Sequence, residues 1–373
     1  MRRDPRPVLF VTNHAPGYRV GAFGALHARE HVVFALVGGD VRHGGGGTGT
    51  GDLPFPVLHV AQRDVFALAA SGAYRAVVAG ISGRVALPAA HAGARRGGVP
   101  FVLWATIWRH PRTAAHALSY LPLRRIYRDA DAVATYGPHV SDYVRSKGAR
   151  APVFEAPQAV DRAFWEAPAA TPRRQSAYQA LFVGRVTGEK GIAVLFSAWR
   201  ASGLRASANA LVLVGEGRFR APSLATSAAL PDGAHAVGPQ PPDEVRNFYA
   251  GSDVVVLPSV PTRDFLEPWG LVVNEAFHQG RPVIATTAVG AVAGRLVRHE
   301  RNGLVVPPDD PGALAAALRR LHDDPALRDG LGRQARADVA PYTHDAWADG
   351  MARALAAAGV ARTAPPDSLQ EAQ

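Results

Sequence analysis

The sequence predicts an α/β protein built from two doubly wound, Rossmann-like parallel sheets. Three observations carry that reading. Short Val-rich runs recur along the chain, with room for a crossover helix between most of them. The runs are apolar at consecutive positions, as in strands buried on both faces. The alternation of run and helical stretch pauses once near the middle and then restarts.

The first series of expected strands is VLFVTN (8–13), HVVFALV (31–37), RAVVAGI (75–81), PFVLWAT (100–106) and DAVATYG (131–137). Residues 156–178 are rich in Ala, Pro and Arg and read as a linker. The second series is QALFVG (179–184), ALVLVG (210–215), DVVVLP (253–258), RPVIAT (281–286) and NGLVVP (302–307). PGALAAALRRLHD (311–323) opens on Pro, continues in good helix formers and ends in basic residues, so it reads as a helix. The expected domains are therefore 1–165 and 175–340. A helix near 342–360 is free to pack back on the first domain, and 361–373 is expected to be a disordered tail. HGGGGTGTGD (43–52) lacks a G-K-[ST] ending and reads as a surface loop, not a phosphate loop. In open α/β sheets ligands bind at the carboxyl ends of the strands. With two facing sheets the expected site is the cleft between them.

Composition narrows the function classes. Of 373 residues, 47% are hydrophobic and 19% charged, which is globular rather than disordered. No apolar run is long enough to span a membrane, and the start does not read as a signal peptide. There are no cysteines, which excludes disulfides, thiolate metal sites and a Cys nucleophile, and fits a cytoplasmic protein. Residues 1–150 hold 19 basic and 8 acidic side chains, and the remainder 22 and 23, so all of the +10 excess lies in the first part. That points to an anionic partner there or to an Arg-rich soluble surface. LPLRRIYR (121–128) is a candidate for peripheral membrane contact or a buried helix with an Arg face. Only two of the 41 basic residues are lysines, Lys147 and Lys190, so their neighbourhoods stand out.

Two stretches carry chemistry. QALFVGRVTGEKGIAVL (179–195) runs strand, polar loop, helix. It sets Arg185 and Lys190 beside glycines at a strand end, where backbone N–H groups can approach an anion and full charges suit phosphate. The alternative is an ordinary solvated loop. DFLEPWGLVVNEAF (264–277) places Glu267 and Glu275 eight apart around Pro-Trp-Gly. Pro268 is tolerated in a first helical turn. A helix opening near Trp269 would present the N–H groups of Trp269, Gly270 and Leu271, backed by the helix dipole. Carboxylates suit sugar hydroxyls, so the layout reads hydroxyls, phosphates, hydroxyls, which is the shape of a sugar nucleotide. The bland alternative is a helix-start carboxylate and a solvated helix residue. LVLVGEGRFR (211–220) carries G-x-G without a third glycine and reads as a strand-end turn.

The ordered series GRVTGEKG, LVLVGEG, VRNFYAGSDVVVLPS, E-P-W-G-L-V-V-N-E, GRPVIATTAVGAVAG and NGLVVPPDD resembles the retaining glycosyltransferases of the two-Rossmann (GT-B) fold, most closely family 4, the glycosyl transferases group 1. TNHAPGYRVGAF (12–23) looks like the loop after the first strand in these enzymes. The resemblance implies that Arg185 and Lys190 hold the donor diphosphate. It implies that Glu267 lies beside the transferred sugar, and that Trp269, Gly270 and Leu271 offer backbone amides. Glu275 would take ribose hydroxyls. Gly17, Tyr18 and Arg19 would form the loop facing donor or acceptor, although relatives often carry adjacent glycines there and this chain has only Gly17. His110, in WATIWRHPR, would stand where relatives often carry a histidine near the sugar, with His14 a weaker candidate. The family implies front-face substitution with retention, no metal, and no cofactor beyond the nucleotide-diphosphate sugar. The partners implied are that nucleotide sugar and a hydroxyl acceptor, an envelope glycan or lipid intermediate or a secondary metabolite. Placement in the cytoplasm, with contact at the inner face of the membrane through the basic first domain, is compatible with this.

Other readings are a two-Rossmann epimerase or phosphorylase, or a basic membrane- or nucleic-acid-binding module. A phosphorylase would need a pyridoxal lysine, and only Lys147 and Lys190 exist. No nucleic-acid-binding motif occurs, and no nucleic-acid partner is expected.

Overall fold

The computed structural model describes residues 4–38, 53–81, 85–204, 208–217 and 230–363, the side chains of 114 and 115 excepted. The expected loop at 43–52, the end of the GEGRFR stretch and all but the start of the expected tail lie outside the described residues. The chain divides into two compact units, Met1–Asp161 with Tyr342–Gln373, and Arg162–Pro341.

The sheet of unit 1 has seven parallel strands: β1 (Val8–Thr12), β2 (Val32–Leu36), β3 (Val57–His59), β4 (Ala76–Gly80), β5 (Phe101–Ala105), β6 (Ala132–Thr135) and β7 (Val153–Glu155). Their order is β3-β2-β1-β4-β5-β6-β7. The five expected strands are all present. β3 and β7 were not expected, because each is a three-residue edge strand with little buried surface. The helix His344–Ala357 packs against the helix Gly17–Glu30 and against β6 and β7. Thr343 caps it by accepting from the Ala346 N–H at 3.0 Å. Trp347 is fully buried and joins Phe10, Phe23 and Trp104 in one aromatic core. Gly350 lets this helix approach β7, since a Cβ there would stand 2.2 Å from the Glu155 carbonyl oxygen.

The sheet of unit 2 has six parallel strands: β8 (Tyr178–Val183), β9 (Asn209–Val214), β10 (Ala234–Gly238), β11 (Val254–Leu257), β12 (Val283–Thr286) and β13 (Gly303–Val306). The order is β10-β9-β8-β11-β12-β13. The direction of winding reverses between β8 and β11, which makes that crevice the topological switch point. The expected helix at 311–323 is present as Pro311–Asp323, with the Asp310 carboxylate accepting from Ala313 N–H.

Of the stretch read as a linker, residues 162–178 are a packed part of unit 2. Trp165 is buried edge-on against Tyr249, with ring centroids 5.7 Å apart. The Gln179 side chain donates to the Arg173 carbonyl. Ala/Pro/Arg composition hides this, because the anchoring comes from backbone groups, one tryptophan and the ion pairs of Arg173 with Glu244 and Arg174 with Asp253.

Candidate active site

The switch point of unit 2 is built by two loops that hold each other. One follows β8 and ends in a single turn at Gly188–Lys190 before the helix Ile192–Ser202. The other follows β11. Val260 N–H donates to the Glu189 carbonyl at 3.0 Å. Gly191 has φ +73°, and a Cβ there would meet the Pro258 carbonyl oxygen at 1.9 Å. Only glycine lets the two loops close to that distance.

The closure brings together Lys190 and Glu267, 77 residues apart in sequence. The Lys190 ammonium pairs with Glu267 Oε2, and the Ser259 hydroxyl donates to the same oxygen at 3.1 Å. The lysine and glutamate side chains are 15% and 7% exposed, so the pair is largely out of water. Ser259 is held in turn by Thr286, whose hydroxyl donates to the Ser259 carbonyl. Arg185 remains exposed and pairs with Glu189 at 3.2 Å. The switch point thus presents two cations, one of them paired with Glu267.

The Glu267–Leu271 segment is clamped from below by the start of the helix Gly290–Ala293. Gly290 N–H donates to the Glu267 carbonyl at 3.0 Å, and Ala291 N–H to the Trp269 carbonyl at 2.8 Å. A Cβ on Gly290 would stand 2.0 Å from the Pro268 carbonyl oxygen. The helix opens later than expected, at Val272, with Leu271 as its cap. Trp269 and Gly270 stay outside the helix, with Gly270 at φ +92°. The N–H groups of Gly270 and Leu271 still donate to no backbone carbonyl among the described residues. The Trp269 ring is buried, and its indole N–H donates to Asn274.

Glu275 is half-buried rather than solvated. Burial pushes its carboxyl up to about 7, against the pull of a 2.7 Å hydrogen bond donated by the Tyr249 hydroxyl. The G-x-G after β9 also has a structural task. Val186 N–H donates to the Glu216 carbonyl, and Cβ atoms on Gly215 and Gly217 would collide with the backbone at Gly184 and Val186. The glycines bring the turn after β9 against the loop after β8.

Gly17, Tyr18 and Arg19 are not a loop. They form the first turn of the helix Gly17–Glu30, which Pro16 starts. Arg19 is buried, 3% exposed, with its guanidinium 5.0–5.9 Å from the ring centroids of Trp104, Tyr18, Tyr136 and Trp347. It donates to the Tyr136 hydroxyl at 2.9 Å. Burial pushes that phenol up to about 12, although Arg19 pulls the other way. Arg19, Tyr18, Trp104 and Tyr136 line a cavity of about 210 Å³ at the carboxyl ends of β1, β4 and β5, together with His14. That is the switch point of the unit 1 sheet. His110 lies elsewhere in unit 1, on the segment after β5, where its Nε2 lies 2.7 Å from the His116 carbonyl oxygen.

Sequence reasoning missed Ser259, Tyr249, Asn274 and Gly290. The only available signal was their presence in the motif stretches, since each acts through a partner that the fold supplies. Among the described residues no three His, Asp or Glu side chains converge as a metal site requires.

Residues 163–338 match the family model described as glycosyl transferases group 1. An uncharacterized glycosyltransferase of Methanocaldococcus jannaschii is 33% identical over 169 residues, 45% of this chain and 41% of that one. A D-inositol 3-phosphate glycosyltransferase of Pseudarthrobacter chlorophenolicus is 32% identical over 220 residues, 55% of this chain and 48% of that one. The chain thus spans less than half the length of these curated relatives. Among solved structures, Anabaena HepE in complex with UDP gives a TM-score of 0.72 at 18% identity, covering 94% of this chain and 99% of that one. Sucrose-phosphate synthase of Thermosynechococcus elongatus gives 0.69 at 20% identity, covering 93% and 98%. At such identity the likeness is one of fold, two Rossmann-like units of the GT-B type. The family match falls on the second unit, which is similar to the glycosyl transferases group 1 over nearly its whole length.

Proposed function

We propose that this protein is a retaining glycosyltransferase that moves a sugar from a nucleotide-diphosphate donor to a hydroxyl acceptor. The observation that carries the reading is the meeting of Lys190 and Glu267 at the switch point of unit 2, with Arg185 on the same loop. In this reading Arg185 and Lys190 bind the donor diphosphate and stabilise the charge that grows on it as the glycosidic bond breaks. The free N–H groups of Gly270 and Leu271 add donors to the same anion. Glu267 accepts from hydroxyls of the transferred sugar. Glu275 accepts from the ribose hydroxyls, with Tyr249 orienting it. The acceptor hydroxyl attacks from the face that the diphosphate leaves, and the departing diphosphate takes its proton. The family match and the UDP bound by HepE support a nucleotide-sugar donor. The basic first part of the chain supports an acceptor side suited to anionic or membrane-surface substrates, at the inner face of a membrane.

Calorimetric titration with UDP-, GDP-, dTDP- and ADP-sugars tests this. One nucleotide class is expected to bind, and binding is expected to be lost in Lys190→Ala. The anomeric configuration of the product, read by proton NMR, is expected to match the donor. Failure of all four classes to bind, or an inverted product, overturns the proposal.

A further inference from the structure

Residues 162–167 are the first of unit 2, and within them Arg162–Glu166 forms one short helix. Five residues are too few to hold a helix on their own, so its contacts set its place. The Arg246 guanidinium donates to the Phe164 carbonyl at 2.8 Å and lies 4.5 Å from the centroid of the Phe164 ring. The Gln279 side-chain amide donates to the carbonyls of Trp165 and Ala167, the latter at 3.1 Å. Glu166 Oε1 stands 3.4 Å from Nδ1 of the fully buried His278. All of these partners belong to two elements, the helix Pro242–Gly251 and the helix Val272–His278 with its C-terminal cap Gln279.

The same two helices carry Tyr249 and Glu275. The Tyr249 hydroxyl fixes Glu275 Oε2 at 2.7 Å, while Oε1 accepts no hydrogen bond among the described residues and is left for a ligand. Tyr249 is fully buried, and the Trp165 ring stands edge-on to it at 5.7 Å. In a close-packed interior the indole restricts where the phenol can turn. Gln279 links the two ends of the arrangement. Its side chain holds the short helix, and its backbone N–H donates to the Glu275 carbonyl at 3.3 Å.

We infer that residues 162–167 form a strap that sets the Glu275 carboxylate through Tyr249, so that Trp165 and Gln279 are positioning residues for recognition of the donor ribose. The inference rests on the glycosyl-transfer reading above. With the strap in place, Tyr249 occupies one carboxylate oxygen and aims the other at the ribose hydroxyls. With the strap loosened, the phenol turns and the carboxylate loses its bearing, although the phosphate-facing loops are untouched.

The test titrates the full chain with UDP, GDP, ADP and dTDP, and then compares whichever binds with its 2′,3′-dideoxy counterpart. The wild type is expected to prefer the hydroxylated compound. Tyr249→Phe deletes only the hydroxyl and is expected to cut that preference about three- to tenfold, as for the loss of one hydrogen bond. Trp165→Leu is expected to cut it by a similar factor. Gln279→Met keeps the side-chain length, unfastens the Trp165 and Ala167 carbonyls without opening the core, and is expected to do the same. Trp165→Phe keeps a ring against Tyr249 and is expected to restore most of the preference. General loosening of unit 2 weakens both compounds alike and leaves their ratio unchanged. A ratio that stays at the wild-type value in any of the first three variants that melts as a folded protein therefore overturns the inference, as does a wild type that binds both compounds equally. In those cases a nucleotide still binds and the transferase reading stands. Binding of none of the four nucleotides sinks that reading and the strap with it.

Discussion

Lys190→Met is the most informative single change in unit 2, because it touches stability and ligand binding by different routes. Methionine keeps most of the lysine stem and removes the charge. Glu267 then stays buried, keeps the Ser259 hydroxyl and loses its ammonium partner. Breaking a fully buried pair costs about 3–5 kcal/mol, and the residual exposure of Lys190 lowers this to about 2–3 kcal/mol. For a unit of this size that is a fall in Tm of roughly 5–10 °C. Glu267→Gln removes the charge that needs the lysine, so the double variant is expected to regain about 1–2 kcal/mol relative to the summed single losses. Donor binding should behave otherwise. Loss of one charge-assisted hydrogen bond to phosphate is worth about 1.5–3 kcal/mol, or roughly 10- to 150-fold in Kd. Adding Glu267→Gln does not restore it. Urea denaturation of the four proteins, followed by calorimetry with the nucleotide that binds wild type, measures both. Single effects that add within about 0.5 kcal/mol would refute the ion pair as a coupled unit. Recovery of donor affinity in the double variant would refute a direct role for Lys190 on phosphate.

Two further outcomes follow from the same loops. Glu275 is raised from 4.5 to about 7 in the folded protein, so its contribution to stability is fully present below about pH 4.5 and is lost as pH rises through 7. The loss is at most about 3 kcal/mol, and Glu275→Gln should lack this step; identical urea-stability profiles from pH 4 to 8 for the two proteins would sink the assignment. Gly290→Ala drives a Cβ into the Pro268 carbonyl and should displace the Glu267–Trp269 segment, costing about 1–3 kcal/mol as overpacking does and weakening donor binding; unchanged affinity would show that the clamp does not position the site.

The parts that were legible in the sequence share one physical trait. Central strands such as Val254–Leu257 are buried on both faces, and that forces continuous apolar runs. Edge strands such as Ala234–Gly238 bury little, so AHAVG carries no such signature. The polar residues that meet at the switch point of unit 2 were legible as types, because they stand in short Gly-containing stretches directly after apolar strands. The pairing of Lys190 with Glu267 was not, since it depends on how closely two loops approach, and Gly191 permits that approach only in three dimensions. Arg19 shows the opposite failure. Its position after the first strand suggested an exposed loop, but Pro16 starts the helix early and turns the guanidinium into an aromatic enclosure.

The helix carrying Trp347 gives unit 1 a peculiar order of assembly. A ribosome delivers β1 to β7 first, then the whole of unit 2, and only then this tryptophan. Until it arrives, Phe10, Phe23 and Trp104 lack the ring that fills the space among them. Unit 2 is continuous in sequence and can complete its core while unit 1 still waits. The nascent chain therefore matures from its middle outward, and its first-made sheet is the last to close.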